Sequence, residues 1–361
     1  MSVSWPEVRT RRLERCGLLR REGTMLDAAR AMCAVQAQVQ VSGEIQLAIR
    51  CATSQDEVRT ALWEQRSLVK AWTIRGTLHF HAADDFATWF SATRGERGAL
   101  EEWRDPRGEL HPALTAKQVD ATHTALEAAL ADGPRTREEL AAAVRPAVRS
   151  RVLAGFAFFT GDLVQGPPRG ARVTLALPGV RLVSRGKARI EACRRFLYTY
   201  GPARATEMRE WLGFDAPLDE VGVEEIEVEG RRTLVLAGDT EFPAPVPSVR
   251  LLPEYDGYVM ASREREQLVP PKVREQVAAH GRGRYEGPAG VRFLMIDGVA
   301  AGLWERKKTA KRIEIAVTPA VRLTKAQRAE VEVEAERIAR CFGAELSLSV
   351  TSVPRPAASS R

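Results

Sequence analysis

No stretch of this chain stays apolar for the ~20 residues that a membrane-spanning helix needs, and the start at Met1 carries no signal-peptide pattern. A cytoplasmic protein with no membrane contact is therefore expected. Cysteine is scarce: Cys16, Cys33, Cys51, Cys193 and Cys341 are odd in number and form no Cys-x-x-Cys pair. That excludes the common zinc and iron–sulfur frameworks and gives no sign of a secreted disulfide scaffold. Small core residues in a reducing compartment are the expectation. Also missing are a Walker-type phosphate loop, a Rossmann fingerprint and a Gly-x-Ser-x-Gly elbow. Histidine is sparse too. His79-x-His81 with Asp84-Asp85 is a poor match to a His-x-His-x-Asp-His metal motif, because the last histidine is absent and only His111, His123 and His280 remain to complete a cage. No metal and no cofactor is expected.

What is present is positive charge. The formal net charge is +7 and the sequence pI is near 9.4, which favours a polyanionic partner. Arginine-rich coding in a GC-rich genome contributes to the same excess. With 361 residues, 44% hydrophobic and 28% charged, the chain is long enough for two or three units with sizeable cores.

Three glutamines, Gln36, Gln38 and Gln40, alternate with apolar residues between Ala34 and Val41, just before Ser42-Gly43. Strict period 2 reads as a half-buried strand, with the amides on one face and the valines and Ala37 on the other. A neutral amide both donates and accepts, so a pair can hold and aim a water without being able to take its proton. Side chains two apart converge in extended backbone or at a helix end, not within a helix. A polar strand face and a functional cluster both fit this spacing.

Taken in order, Val8 to Leu19 reads as a helix, Thr24 caps a helix from Met25 to about Ala37, and Ser54 caps one from Asp56 to Gln65. Leu68 to Ile74 and Thr77 to His81 alternate around Arg75-Gly76 as a hairpin. Helices followed by a hairpin are the layout of a winged helix-turn-helix. The layout recurs from Thr115: a helix to Ala131, a capped helix from Thr136 to Val144, an apolar helix around Ser150 to Phe159, and a hairpin across Gly166 to Gly170. Tyr200-Gly-Pro-Ala-Arg-Ala-Thr-Glu-Met208 echoes Asp132 to Leu140, which suggests a third repeat ending in strands around Glu229-Gly230. Glu241 to Pro253 reads as an extended connector. Arg292 to Ile296, Ala300 to Trp304 and Arg312 to Val317 form an expected three-stranded meander, followed by a helix from Lys325 to Cys341 and a strand from Leu346 to Val350.

The units expected are thus 1–94 with the glutamine motif, a linker 95–114, then 115–182, 183–240, a β-rich region 241–352 with a basic hairpin, and a disordered tail 353–361. The fold class is α+β and helix-rich, with three tandem winged helices.

Ala34-Val35-Gln36-Ala37-Gln38, Leu62-Trp63, Arg66 to Trp72, Arg75-Gly76-Thr77-Leu78-His79, the Leu251 to Asp256 block and Asp297-Gly298 to Trp304 together resemble the AlkZ/YcaQ family. These are DNA glycosylases built from tandem winged helices, and the likeness spans most of the chain. It implies a C-shaped channel for duplex DNA and a Gln-apolar-Gln catalytic motif at Gln36 and Gln38. It also implies hydrolysis of the glycosidic bond of alkylated purines, N7-alkylguanine foremost, extending to bulky adducts and interstrand crosslinks of natural-product genotoxins. A purine alkylated at N7 is already positively charged and leaves readily, so a motif without a strong base is chemically sufficient. Phosphate contacts are expected from Lys70, Arg75 and His79 in the first hairpin, Arg169 and Arg172 in the second, and Lys307, Lys308, Lys311 and Arg312 in the last. A monomer is expected. A non-catalytic winged-helix regulator and a metal-dependent hydrolase are the alternative readings.

Overall fold

A computed structural model describes residues 2–20, 23–94, 101–104, 110–111, 113–144 and 163–351, and shows a mixed α+β fold. The first repeat begins at the helix Met25–Ala31, whose Thr24 cap accepts from Asp27 N–H as its sequence predicts. The helix ends six residues short of the expected Ala37. Cys33 adopts φ 63° and turns the chain into the short strand Val35–Gln36. Next comes a helix that the sequence does not announce, Gln40–Ala48. Its N-cap is Val39, with no side-chain cap bond, and Ser42, Gly43 and two β-branched residues give it weak propensity. Burial overrides that weakness, since Ser42 to Ala48 are all buried. Gly43 is required by contact: a Cβ there would stand 2.7 Å from the Phe80 ring. The Ser54-capped helix Gln55–Trp63 and the hairpin Leu68–Trp72 and Leu78–Ala82 complete the unit as expected.

The second repeat supplies helices Ala116–Leu130 and Arg137–Val144 and the strands Val164–Arg169 and Arg172–Ala176. The helix expected around 150–159 lies outside the described residues. One pairing, Ala71 with Val164, joins the hairpins of the first two repeats into a six-stranded sheet. In the segment expected to be a third repeat, the described elements are helices Arg185–Tyr200 and Ala205–Leu212 and strands Val223–Val228 and Arg231–Leu236. Ser2–Val3 adds a parallel strand to this hairpin, and the N-terminal helix Trp5–Arg15 follows it, starting three residues earlier than expected because Ser4 and Glu7 form a capping box.

The C-terminal sheet is larger than the expected meander. Val249–Leu252, within the expected connector, is its first strand, ahead of Phe293–Ile296, Val299–Lys308, Arg312–Pro319 and the parallel edge strand Glu345–Val350. The prolines at 243, 245 and 247 precede that strand without entering it, so the run of residues after Ser248 is free to pair. Helix Lys325–Cys341 occupies the residues its pattern predicts. One large apolar core runs through the N-terminal helix, the third repeat, the C-terminal sheet and this last helix, while the second repeat has a core of its own around Leu126, Leu140 and Leu175. Among the described residues no helix is long and apolar enough to cross a membrane.

A buried ion pair ties the first repeat to the C-terminal sheet. Arg50, just past the helix Gln40–Ala48, donates to both carboxylate oxygens of Asp256 at 2.8 Å, and neither side chain touches solvent. The rest of the guanidinium is satisfied by Cys16 O at 2.7 Å and Gln46 O at 3.1 Å. Asp256 also caps the next helix by accepting from Tyr258 N–H. Burial works against the Arg50 charge, but the adjacent carboxylate holds its pKa above the ordinary value.

Removing one partner strands the other charge in the interior. Asp256→Ala is expected to cost about 3–5 kcal/mol by urea denaturation, whereas the apolar pair Arg50→Met with Asp256→Leu recovers most of that loss. A cost below about 1 kcal/mol for Asp256→Ala would show that the pair contributes little.

Candidate active site

The glutamine motif straddles the end of the strand Val35–Gln36 and the bend before helix Gln40–Ala48. Ala37 N–H donates to Leu78 O at 2.8 Å, and Leu78 N–H donates to the Gln38 side-chain Oε1 at 3.2 Å. These bonds fall on Ala37 and Leu78, which leaves Gln36 opposite His79 as a non-hydrogen-bonded pair, the closer kind. Gln36 and His79 therefore share one face of the sheet, while Val35, Ala37 and Phe80 face the apolar core on the other, and Gln38 lies in the bend beyond the strand.

The two amides have different surroundings. Gln36 is buried, only 7% exposed, and its Oε1 has no hydrogen-bond partner among the described residues. Gln38 is exposed, with its side-chain carbonyl oxygen occupied by the Leu78 amide. The backbone beneath them is fixed from behind: Gln46 Nε2 donates to Gln36 O at 3.0 Å and to Ser42 Oγ at 3.3 Å, and Ser42 Oγ–H donates to Glu254 O. The Glu254 carboxylate, whose burial alone would raise its pKa, is held low by Arg292, which donates to it at 2.7 and 3.2 Å. Two acidic residues of the Leu251 to Asp256 block, Glu254 through its backbone and Asp256 through its side chain, thus anchor the helix that follows the glutamines.

The first hairpin turns its polar residues inward. Lys70 is buried, donates to Gln40 Oε1 at 3.1 Å, and desolvation pulls its pKa down to about 8. Gln40 in turn donates to the fully buried Glu44, which also accepts from Gln55 and Arg59. Arg75 donates to Trp211 O and lies over the Trp211 ring, and desolvation lowers its pKa to about 10. It couples the first hairpin to the third repeat. His79 and His81 are both buried and meet at Thr73, whose Oγ1 is 3.2 Å from His79 Nδ1 and 2.9 Å from His81 Nε2. Lys70, Arg75 and His79 thus serve interior contacts in this conformation.

The remaining predicted cations are exposed. Arg169 pairs with Glu139 at 2.9 Å and Arg172 stands across the strand from it. Lys307, Lys308, Lys311 and Arg312 surround the tip of the last hairpin. Thr309 N–H donates to Arg312 O at 2.9 Å, Arg312 N–H donates back to Thr309 Oγ1 at 3.2 Å, and Glu345 N–H donates to Lys311 O at 2.9 Å. Arg306 and Lys308 both lie over one ring, Phe342, at 5.4 and 5.8 Å. The hairpin is thereby braced and carries its charge outward. Sequence reasoning missed the Arg50, Glu254 and Asp256 supports. Their only sequence signal is charge inside apolar runs such as Ile49-Arg50-Cys51. Among the described residues no group of three or more His, Cys, Asp or Glu side chains is placed to hold a metal ion.

Burial keeps both hairpin histidines neutral, lowering His79 well below its ordinary value and His81 to about 3. The unfolded chain binds these protons near pH 6.5 and the folded chain resists them, so stability falls as pH drops from about 6.5 toward 3. Each histidine contributes up to ~1.4 kcal/mol per pH unit in that window. Urea denaturation at several pH values is expected to show a shallower acid loss in His81→Gln; identical slopes would contradict the burial effect.

Against this geometry, comparisons with known proteins agree with one another. The family model described as DNA glycosylase AlkZ-like matches residues 29–341. An interstrand DNA cross-link repair glycosylase of Streptomyces sahachiroi is 26% identical, over 95% of this chain and 98% of its own length. The solved structure of Streptomyces sahachiroi DNA glycosylase AlkZ superimposes with a TM-score of 0.76 at 24% identity, covering 97% of this chain and all of the other. The family match includes the glutamine motif, the first hairpin, the buried Arg50–Asp256 pair and the basic hairpin, and this chain belongs to the AlkZ-like DNA glycosylase family.

Proposed function

We propose that this protein is a monofunctional DNA glycosylase that removes alkylated purines, N7-alkylguanines above all, from duplex DNA. The observation that carries this reading is the pair of neutral amides two residues apart at the end of one short strand, Gln36 on the sheet face of His79 and Gln38 exposed in the bend that follows. Excision replaces the glycosidic bond by water through an oxocarbenium-like sugar. An N7-alkylated guanine departs without much acid assistance, so the protein need only orient a water toward C1′ and stabilise positive charge on the sugar. In this reading the Gln36 and Gln38 amides together hold and aim the water. Amide dipoles in the motif would favour the positive charge that develops on the sugar. No metal or cofactor enters the scheme.

Three winged-helix repeats with boundaries near 94, 114, 182 and 240 would line a C-shaped channel for the duplex, closed by the β-rich region 241–352. Arg169, Arg172, Lys307, Lys308, Lys311 and Arg312 are the phosphate contacts we assign, because their charges face outward. The Streptomyces relative is described as a cross-link repair glycosylase, which adds interstrand crosslinks to the candidate substrates and would suit a role in repair or self-resistance. The chain acts as a monomer in this reading.

Incubation with duplex DNA carrying N7-methylguanine is expected to yield abasic sites equally with and without EDTA. Gln36→Ala with Gln38→Ala should lower the single-turnover rate by about 100-fold or more while leaving DNA affinity in place. Full activity in that double variant rejects the amide mechanism. Absence of any excision by wild type, together with binding to one defined operator, points instead to a regulator. Neutralising Lys307, Lys308 and Lys311 to Gln is expected to weaken DNA binding and to reduce the log–log salt slope by about 0.9 for each phosphate that is no longer neutralised. An unchanged slope removes that hairpin from the interface.

A further inference from the structure

We infer that Arg282 and Arg284, in the Gly281-Arg282-Gly283-Arg284 turn after the helix Pro271–Ala279, are a further pair of contacts to duplex phosphate, set beside Lys307. This rests on the proposed reading of duplex DNA as the substrate, and is independent of the amide mechanism. Both side chains are exposed.

The turn is fastened on two sides. His280 closes the helix, and its Nδ1 accepts from Arg282 N–H at 3.2 Å and from Gly283 N–H at 3.4 Å. With Nδ1 an acceptor, the ring proton sits on Nε2 and is donated to Glu305 Oε1 at 2.8 Å. Gly283 is packed so closely that a Cβ there would stand 2.0 Å from Val277 O, so a side chain would displace the turn. Further on, Ala289 O accepts from Tyr255 N–H at 2.8 Å. The segment is thus held to the strand Val299–Lys308 and to the Leu251 to Asp256 block, and its two arginines project from a fixed base.

The charge on these arginines is largely unspent. Arg284 forms no ion pair among the described residues, and Arg282 approaches Glu254 only at 3.8 Å with 51% of its side chain exposed. Glu254 does not depend on it, because Arg292 donates to both carboxylate oxygens at 2.7 and 3.2 Å. Glu305 is matched by Arg292 and His280. Moving Arg282 onto a phosphate therefore strands neither carboxylate. Position names the anion. Glu305 and Lys307 are two apart in one strand, so their exposed side chains leave the same sheet face about 7 Å from each other. His280 is bonded to Glu305, so the turn that follows it stands on the face from which Lys307 projects. Guanidinium forks suit phosphate oxygens, and two of them beside a lysine make one track for a polyanionic strand. Glu254 also takes the Ser42 hydroxyl through its backbone oxygen, so the same track borders the support of the glutamine loop.

The salt dependence of binding to an undamaged duplex reads this contact without any excision step. Arg282→Gln with Arg284→Gln is expected to weaken binding and to lower the log–log salt slope by up to ~1.8, from about 0.9 for each phosphate no longer neutralised. Arg282→Lys with Arg284→Lys keeps both charges and should keep the slope. Arg232→Gln with Arg340→Gln removes the same charge from exposed positions on other elements and should leave the slope in place. An unchanged slope in the Arg282 and Arg284 glutamine pair, or an equal fall in the Arg232 and Arg340 pair, overturns the proposal, as does wild-type duplex binding that ignores salt. Should the double variant fold poorly, Arg284→Gln alone decides, since that side chain has no ion pair to lose: a slope lower by about 0.9 supports the contact and an unchanged slope overturns it. A lowered slope in a protein whose wild type leaves an N7-methylguanine duplex intact removes the glycosylase reading and upholds the contact.

Discussion

The buried bond between Arg50 and Asp256 is the constraint around which this molecule is arranged. One end belongs to the first repeat and the other to the block that opens the C-terminal region, about two hundred residues further along the chain, and both are sealed from solvent. A charge pair so placed tolerates little misalignment, because loss of either half leaves the other uncompensated. The same guanidinium gathers Cys16 O and Gln46 O, so the N-terminal helix and the helix behind the glutamines are set in one act. Ser42 repeats the tie near the start of that helix by bonding Glu254 O. Through these contacts the position of Gln36 depends on residues remote in sequence, and of the two amides it is Gln38 that is exposed.

That arrangement explains why a weakly helical segment is a helix. Gln40–Ala48 contains a glycine, lacks a side-chain cap and is buried along most of its length. Its local preference is overruled by what surrounds it: the Phe80 ring over Gly43, the Arg50 anchor at its C-terminal end, and the last helix packed alongside. Polar residues inside, Glu44 and Gln46 among them, are matched by Arg59, Gln55, Gln40 and the backbone of Gln36. Such networks hold one geometry where an apolar interface would permit sliding.

Much of this is legible from residues alone. Thr24 and Ser54 announce helix starts through caps that form as expected. The alternation on both sides of Arg75-Gly76 gives the first hairpin, and Asp297-Gly298 gives a tight turn with both residues at positive φ. The likeness carried by the glutamine motif and by Leu251 to Asp256 extends to the family. What stays hidden has a physical reason. Period and propensity report local preference, so they could not reveal helix Gln40–Ala48, the strand Val249–Leu252 or the inward orientation of Lys70 and His79, each of which is decided by partners far along the chain. A lysine and two histidines on a hairpin look like surface groups until Gln40, Thr73 and Trp89 are seen to enclose them.

The central claim is geometric, and a structure of the protein on a duplex with an uncleavable N7-alkylguanine analogue tests it most directly. The account requires the Gln36 and Gln38 amides to share a water that stands about 3–3.5 Å from C1′ of the modified nucleotide. Finding both glutamines turned away from the DNA, with the modified sugar seated elsewhere, would contradict it.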